Sequence, residues 1–442
     1  MAASIPSDEF DGPATPPERL RFLGDVDACI KGEPHEAGEP AVLVIDAATP
    51  DQYADLSRAL GELAAASFEK AWAERIRAFL PARTSLYHLS AARFACILPG
   101  GESRITEMLD ELGGKVWRPA KSRAVPAATS IAIGVACYPR DGGNADALLR
   151  AAAEAAHESL HSARPWCRYS AATANAWRRS ASLLRDIGAA LAGEDQLHLV
   201  YQPMTDLKSG RCVGAEALLR WNHPILGPVP PSEFVPLVEG TALVHAMTDW
   251  VLSAALRQVA DWRAAGLHLK LAVNVSMSDL ADEGFPARLA ALLGRYEVRP
   301  DRIDIEVTES AAARDPGRAG RQLDAIRRLG IAIVIDDFGT GQAALSYLKH
   351  IPATLVKIDE IFFARLAVDR GDQIMVRSTI DLVHALGYRV VAEGIADAAA
   401  LQWLREHDCD IGQGYAISPP LDARDLERWL RSPPGPGRLE LA

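Results

Sequence analysis

From residue 269 to residue 413 the chain repeats one unit: a short apolar run closed by a polar side chain, then a longer stretch with helical spacing. The runs are Leu269-Lys-Leu-Ala-Val-Asn274, Arg302-Ile-Asp-Ile-Glu306, Ile331-Ala-Ile-Val-Ile-Asp336-Asp337, Thr354-Leu-Val-Lys357-Ile-Asp359, Tyr388-Arg-Val-Val-Ala-Glu393 and Ile411-Gly-Gln413. They recur at intervals of roughly 20 to 36 residues, room for one helix between strands, so the strands are parallel neighbours covered on both faces. The fold class that meets these conditions is α/β, a TIM-like (β/α) barrel. Two earlier runs break the parallel rule. Leu197-His-Leu-Val-Tyr-Gln202 and Arg211-Cys-Val-Gly-Ala-Glu216-Ala-Leu-Leu-Arg220 are joined by Asp206-Leu-Lys-Ser-Gly210, too short for a crossover, so one strand of the barrel is antiparallel.

In a barrel the strand ends converge on one mouth, which gathers Glu216, Asn274, Glu306, Asp336, Asp337, Lys357, Glu393 and Gln413. Carboxylates held that close cannot all ionise in a dry pocket without a compensating cation. The donors are oxygens, and neither histidine nor cysteine closes a strand, so Mg²⁺ or Mn²⁺ is favoured over zinc. Two such ions clamp the attacking and leaving oxygens of a phosphoester and acidify a bound water, which points to phosphodiester hydrolysis. Singly, each acid reads equally well as a helix cap or a surface ion pair, Arg220 as a partner of a neighbouring acid, and Lys357 as a charge-balancing core lysine. Their recurrence at successive strand ends is what favours a site.

A net charge of -11 and a pI near 5.5 provide no basic field for general nucleic-acid binding, so a phosphorylated ligand would be held through metal ions. The six cysteines form no Cys-x-x-Cys, which fits free thiols in a reducing cytoplasm. Neither a basic, apolar leader nor a run long enough to cross a bilayer is present, and a soluble cytoplasmic protein is expected.

The first part of the chain has a different texture. Residues 1–17, rich in Ser, Pro, Gly and acid, are expected to be disordered, as is a tail at 433–442. Between them and residue 170 the pattern predicts an α+β domain. Its elements are a helix from Pro16, a strand Ala41–Asp46, a helix from about Pro50 to Leu80, a hairpin of Leu86–Leu89 with Arg93–Leu98, a strand Thr129–Tyr138 and a helix Ala145–His161. Residues 171–195 read as a connecting helix, and 196–432 as the barrel.

Ser130-Ile-Ala-Ile-Gly-Val-Ala-Cys-Tyr-Pro-Arg-Asp-Gly and the helix after it resemble the GGDEF domain of bacterial diguanylate cyclases. Ser90-Ala91-Ala92-Arg93-Phe94 stands where that family writes Gly-Gly-Asp-Glu-Phe, without the glycines for close backbone approach or the acids for metal. Pro81 and Thr84 fall where its inhibitory Arg-x-x-Asp would lie. The resemblance therefore implies a degenerate, catalytically inactive regulatory domain.

Glu216-Ala217-Leu218-Leu-Arg-Trp resembles the signature of the EAL domain, the bacterial cyclic di-GMP phosphodiesterase. The likeness covers residues 196–430 and includes Tyr201-Gln-Pro, Asn274-Val-Ser, Glu306-Val-Thr-Glu309, Asp336-Asp-Phe-Gly-Thr-Gly, Lys357-Ile-Asp359, Ala392-Glu393-Gly and Gln413-Gly-Tyr. It implies that Glu216, Asn274, Glu306 and Asp336 hold one metal ion and Asp337 reaches a second. It further implies that Lys357 and Glu393 orient and deprotonate water, and that Glu309 braces the loop after Asp337. Gln202, Arg220, Gln413 and Asp359 are the implied substrate-side residues. The implied reaction opens cyclic di-GMP to pGpG, in a protein expected to pair through its EAL domains and to signal through a protein partner. Departures are Gln342-Ala343-Ala344 for the usual Tyr-Ser-Ser, Ala396 for a second glutamate, and Gly240 and Ala242 in the stretch after Phe234. None of them removes an expected metal ligand. A receptor that binds cyclic di-GMP without cutting it is the alternative reading.

Overall fold

The structure, a computed structural model, describes residues 16–32, 39–81, 84–98, 105–110, 131–160, 162, 166–193, 195–309, 316–339, 351–363, 365–366 and 368–431. The expectations for residues 1–15, for Gln342-Ala343-Ala344 and for the tail lie outside them. The helix expected from Pro16 forms as Pro16–Lys31, so the stretch expected to be disordered stops short of residues 16 and 17. The chain forms two compact units, 1–179 and 180–442, whose boundary falls within the helix Ala171–Ala192.

The first unit is a sheet of β1 (Ala41–Asp46), β2 (Leu86–Ser90), β3 (Arg93–Leu98), β4 (Ala132–Cys137) and β5 (Cys167–Arg168), in the order β2-β3-β1-β4-β5. Helices Pro16–Lys31 and Ala145–Ser159 cover one face, where Phe22 and Val26 meet Val42, Val44 and Ala152. Phe68, Trp72 and Ile76 of helix Glu62–Arg77 cover the other with Leu43 and Ile45. The single helix expected from Pro50 to Leu80 is two, Pro50–Leu60 and Glu62–Arg77, because Gly61 takes φ +84, a conformation that interrupts the helix. The first is opened by a capping box between Thr49 and Gln52. Gly134 lets the alanine-rich helix seat on β4, since a Cβ there would lie 2.1 Å from the Ala152 carbonyl oxygen.

The second unit is a closed barrel of β6 (Leu197–Asp206), β7 (Cys212–His223), β9 (Leu271–Asn274), β10 (Ile303–Thr308), β11 (Ala332–Phe338), β12 (Leu355–Ile358), β13 (Arg389–Ala392) and β14 (Ile411–Gly412). A short β8 (Gly227–Val229), unforeseen in the sequence, pairs with the far end of β7. β6 runs antiparallel to both neighbours, β7 and β14, and the other barrel pairings are parallel. Side-chain alternation sorts each strand. On β10, Ile303, Ile305 and Val307 join the outer core with Phe285, Leu323 and Ile326, and the alternate residues Asp304 and Glu306 are also buried. Met204, Ala272, Val391 and Ile411 form a small apolar cluster, and Asp304 pairs with Lys270 at 2.6 Å. No described helix is long and apolar enough to cross a membrane.

Candidate active site

Lys357, at the third position of β12, is 1% exposed, and four carboxylates from four elements surround its ammonium. Nζ lies 2.5 Å from Glu393, 3.0 Å from Glu306, 3.1 Å from Glu216 and 3.5 Å from Asp336. Glu216 sits at mid-strand on β7, Glu306 on β10, Asp336 on β11, and Glu393 in the residue after β13. Glu216 also accepts from Asn274 Nδ2 at 2.8 Å and from Gln413 Nε2 at 2.7 Å. Barrel closure thus brings these residues to one place, although Glu216, expected at a strand end, lies at mid-strand because β7 continues to His223.

Asp336 and Asp337 are adjacent, so a regular strand would point them to opposite faces. The β11–β12 register shifts between Ile335 and Phe338, and Asp337 adopts φ +55, which turns its carboxylate out of the alternation. Asp336, Asp337 and Glu393 thereby present oxygens within 4.8 Å of one another. Glu309 accepts from the backbone N–H of Gly339 at 2.9 Å, fastening the end of β11 to the residue following β10. Gly394 and Gly414 allow close backbone approach beside Glu393 and Gln413, since a Cβ on Gly394 would strike Glu360 and one on Gly414 would strike the Ile395 backbone.

The electrostatics follow from five carboxylates, Glu216, Glu306, Asp336, Asp337 and Glu393, around one ammonium. Burial alone would lower the Lys357 pKa, but Glu216, Glu306, Glu393 and Asp336 reverse this and hold it well above the ordinary lysine value. Burial pushes Glu216 up, yet Lys357 and the hydrogen bonds from Gln413, Lys357 and Asn274 outweigh it and bring that carboxyl below its usual range. Glu306 is raised well above its usual value by burial and by Glu216, against the pull of Lys357. Burial raises Glu393 to about 8, with Asp336 and Glu216 adding to it against Lys357. Burial, Asp336 and Asp359 raise Asp337 to about 6. One lysine cannot neutralise this set, and a divalent cation among the oxygens would. Two oxygens fit such a role directly: Glu306 Oε1 and Gln413 Oε1 are buried without a hydrogen-bond partner.

The remaining expected residues are less central. Gln202 donates to the Ser418 carbonyl and accepts from Gln413 Nε2 at 3.0 Å, so it stands behind Gln413. Asp359 caps the short 3₁₀ turn Glu360–Phe362, accepting from Ile361 N–H at 2.9 Å. Arg220 donates to the Leu219 carbonyl and lines a cavity of about 390 Å³ together with Asn274, Ser276, Thr248, Glu239 and Val235. Sequence reading missed the wall of that cavity, because Pro231–Glu239 and Leu243–Ala264 show ordinary amphipathic spacing. Ala396 is exposed in the loop before helix Ala398–Glu406, and Gly240 and Ala242 lie between the two wall helices.

Residues 184–420 match the family model described as EAL domain, and residues 17–164 match that of the diguanylate cyclase GGDEF domain. A cyclic di-GMP phosphodiesterase of Pseudomonas aeruginosa is 40% identical over 360 residues, 81% of this chain and 61% of that protein. The bifunctional diguanylate cyclase/cyclic di-GMP phosphodiesterase MucR of the same organism is 34% identical over 358 residues, 80% of this chain and 52% of that one. The chain therefore spans only part of the length of these relatives. Among solved structures, the MucR phosphodiesterase in its c-di-GMP complex superposes with a TM-score of 0.53 at 38% identity, over 55% of this chain and 99% of that one.

Proposed function

The chain belongs to the EAL domain family, and from that premise we propose that it is a metal-dependent phosphodiesterase hydrolysing cyclic di-GMP to pGpG. The observation that carries the reading is the oxygen cage around Lys357, with more carboxylates than one ammonium balances and with Glu306 Oε1 left without a partner. In this reading Glu216, Asn274, Glu306 and Asp336 hold one Mg²⁺ or Mn²⁺, and Asp337, beside Asp336 and Glu393, reaches a second. Bound metal would supply Lewis acidity and lower the pKa of a bound water. Glu393, 2.5 Å from Lys357 and raised by burial, takes the proton of the attacking water, and Lys357 keeps that carboxylate in place. The water oxygen bonds to phosphorus, the bond from phosphorus to the 3′ oxygen breaks, and that oxygen takes a proton from solvent, to which Glu393 releases the one it removed from the water. Arg220 lies in the cavity beside Asn274, where its planar fork suits a phosphate. Gln202, Gln413 and Asp359 are the other substrate-side groups.

The GGDEF-like unit is silent in this reading and serves as a regulator. Arg93 is locked onto Asp46 by two hydrogen bonds of 2.6 and 2.8 Å, so the carboxylate ending β1 is taken by a guanidinium. The N–H of Ala92, at φ +55 in the turn, is consumed by buried Glu69 at 2.9 Å. A cytoplasmic dimer joined through the EAL domain, able to engage a protein partner, completes the proposal. Val368, Ile374 and Met375 are among the exposed apolar side chains of the described residues in this unit, and this proposal places the pairing on them.

The test is turnover by the purified chain with cyclic di-GMP and Mg²⁺ or Mn²⁺, following pGpG by chromatography. Metal-dependent product that disappears in Glu216→Ala is expected. Binding of cyclic di-GMP without product would replace the enzyme by the receptor reading.

A further inference from the structure

Asp279 is a carboxylate without accessible surface, and its contacts reach beyond its own helix. Oδ2 accepts from the Ser276 hydroxyl at 2.5 Å, the Thr248 hydroxyl at 2.7 Å and the Ser276 N–H at 3.3 Å, while Oδ1 meets His245 Nδ1 at 2.8 Å. Ser276 and Asp279 alone would complete the capping box of the five-residue helix Met277–Ala281. Thr248 and His245 come from the helix Leu243–Ala264, so the same carboxylate ties two elements together. The segment it fastens is the one leaving β9. Two residues before Ser276 stands Asn274, exposed at the strand end, with its Nδ2 on Glu216 Oε1 at 2.8 Å. Thr248 and Ser276 also line the cavity that Arg220 and Asn274 share.

We propose that Asp279 is a positioning residue: by gripping Ser276 and Thr248 it sets the orientation of Asn274 toward the metal-binding carboxylates and fixes one wall of the cavity beside Arg220. The inference rests on the proposed role of Asn274 as a metal ligand. Groups that orient a ligand from behind typically alter metal affinity by about 10- to 100-fold when removed. Asp279→Ala takes away the acceptor for both hydroxyls and frees the Asn274–Ser276 segment. Asp279→Asn keeps one oxygen for the two hydroxyls and turns its amide N–H₂ toward His245 Nδ1, which accepts in its other tautomer.

The experiment titrates Mn²⁺ into the full chain without substrate, reading bound ion by electron paramagnetic resonance, with circular dichroism to establish folding and hydrolysis assayed in parallel. Asp279→Ala should weaken Mn²⁺ binding roughly tenfold or more, and Asp279→Asn should restore most of it. Ser276→Ala, which cuts the grip at the loop and leaves the buried carboxylate its other partners, should weaken binding in the same direction. A folded Asp279→Ala with wild-type Mn²⁺ affinity would overturn the proposal. Should that variant not fold, wild-type affinity in Ser276→Ala would overturn it equally. Mn²⁺ binding by the wild type without turnover would sink the hydrolase reading alone, because the variant affinities still decide the role of Asp279.

Discussion

Lys357 holds together groups that would otherwise repel, and substituting it separates its structural part from its chemical one. In Lys357→Met, Glu216, Glu306, Asp336 and Glu393 lose their shared ammonium, and breaking a buried ion pair from one side costs about 3–5 kcal/mol. The thermal midpoint should fall sharply in chelator and recover in part with added Mn²⁺, read by differential scanning fluorimetry, while hydrolysis stays lost. A midpoint unaffected by either would mean that Lys357 does not balance the cage. In the first unit, Glu69 makes a pH prediction. Burial raises its pKa, but the hydrogen bonds from His88 and the Ala92 N–H outweigh that and leave it lowered. A carboxyl lowered in the folded state contributes stability above its unfolded pKa, about 4.3, and that contribution is lost as pH falls through the folded value. Thermal midpoints measured from pH 7 downward should therefore drop less steeply in Glu69→Gln than in wild type. Parallel curves would show that Glu69 carries no such linkage.

Among the elements, β4 and the helix Ala145–Ser159 approach most closely where glycine permits it. Gly134→Ala would push a methyl into the Ala152 carbonyl and the Ala156 N–H, both 2.1 Å from the ideal Cβ. Overpacking of this kind costs about 1–3 kcal/mol, so the first unit should melt earlier with its secondary structure intact, which circular dichroism against temperature would detect. An unchanged melt would mean that the helix lifts from the strand without cost. Much at this scale was legible. The apolar runs and their polar ends marked every strand from β9 to β14, because a strand buried on both faces leaves few places for polar residues. The break at Gly61 and the added strand β8 were not, since a single glycine within helical spacing and a three-residue strand carry little periodic signal.

For the whole molecule, the proposed pairing predicts concentration-dependent mass. Val368, Ile374 and Met375 are 84%, 58% and 49% exposed, within and just before the helix Arg370–Ala385. Light scattering after size exclusion should find a dimer in wild type and a monomer in the double variant Ile374→Glu with Met375→Glu. A monomer in both would remove the dimer from the proposal. The sequence by itself determined the kind of chain this is: a β/α repeat whose apolar runs close on polar side chains, beside an α+β unit whose turn Ser90-Ala91-Ala92-Arg93 carries neither glycine nor acid. Those are local facts, written in periodicity and in residue type at fixed offsets. Tertiary structure alone decided that Lys357 meets Glu216 across 141 residues of chain, that a register shift turns Asp337 beside Asp336, that Arg93 takes Asp46, and that Asp279 grips a second helix. Three of these are contacts between elements distant in sequence, and the register shift is a local break in alternation set by the pairing of β11 with β12. Periodicity records which face of an element is buried, but only closure of the barrel or the sheet decides what that face meets.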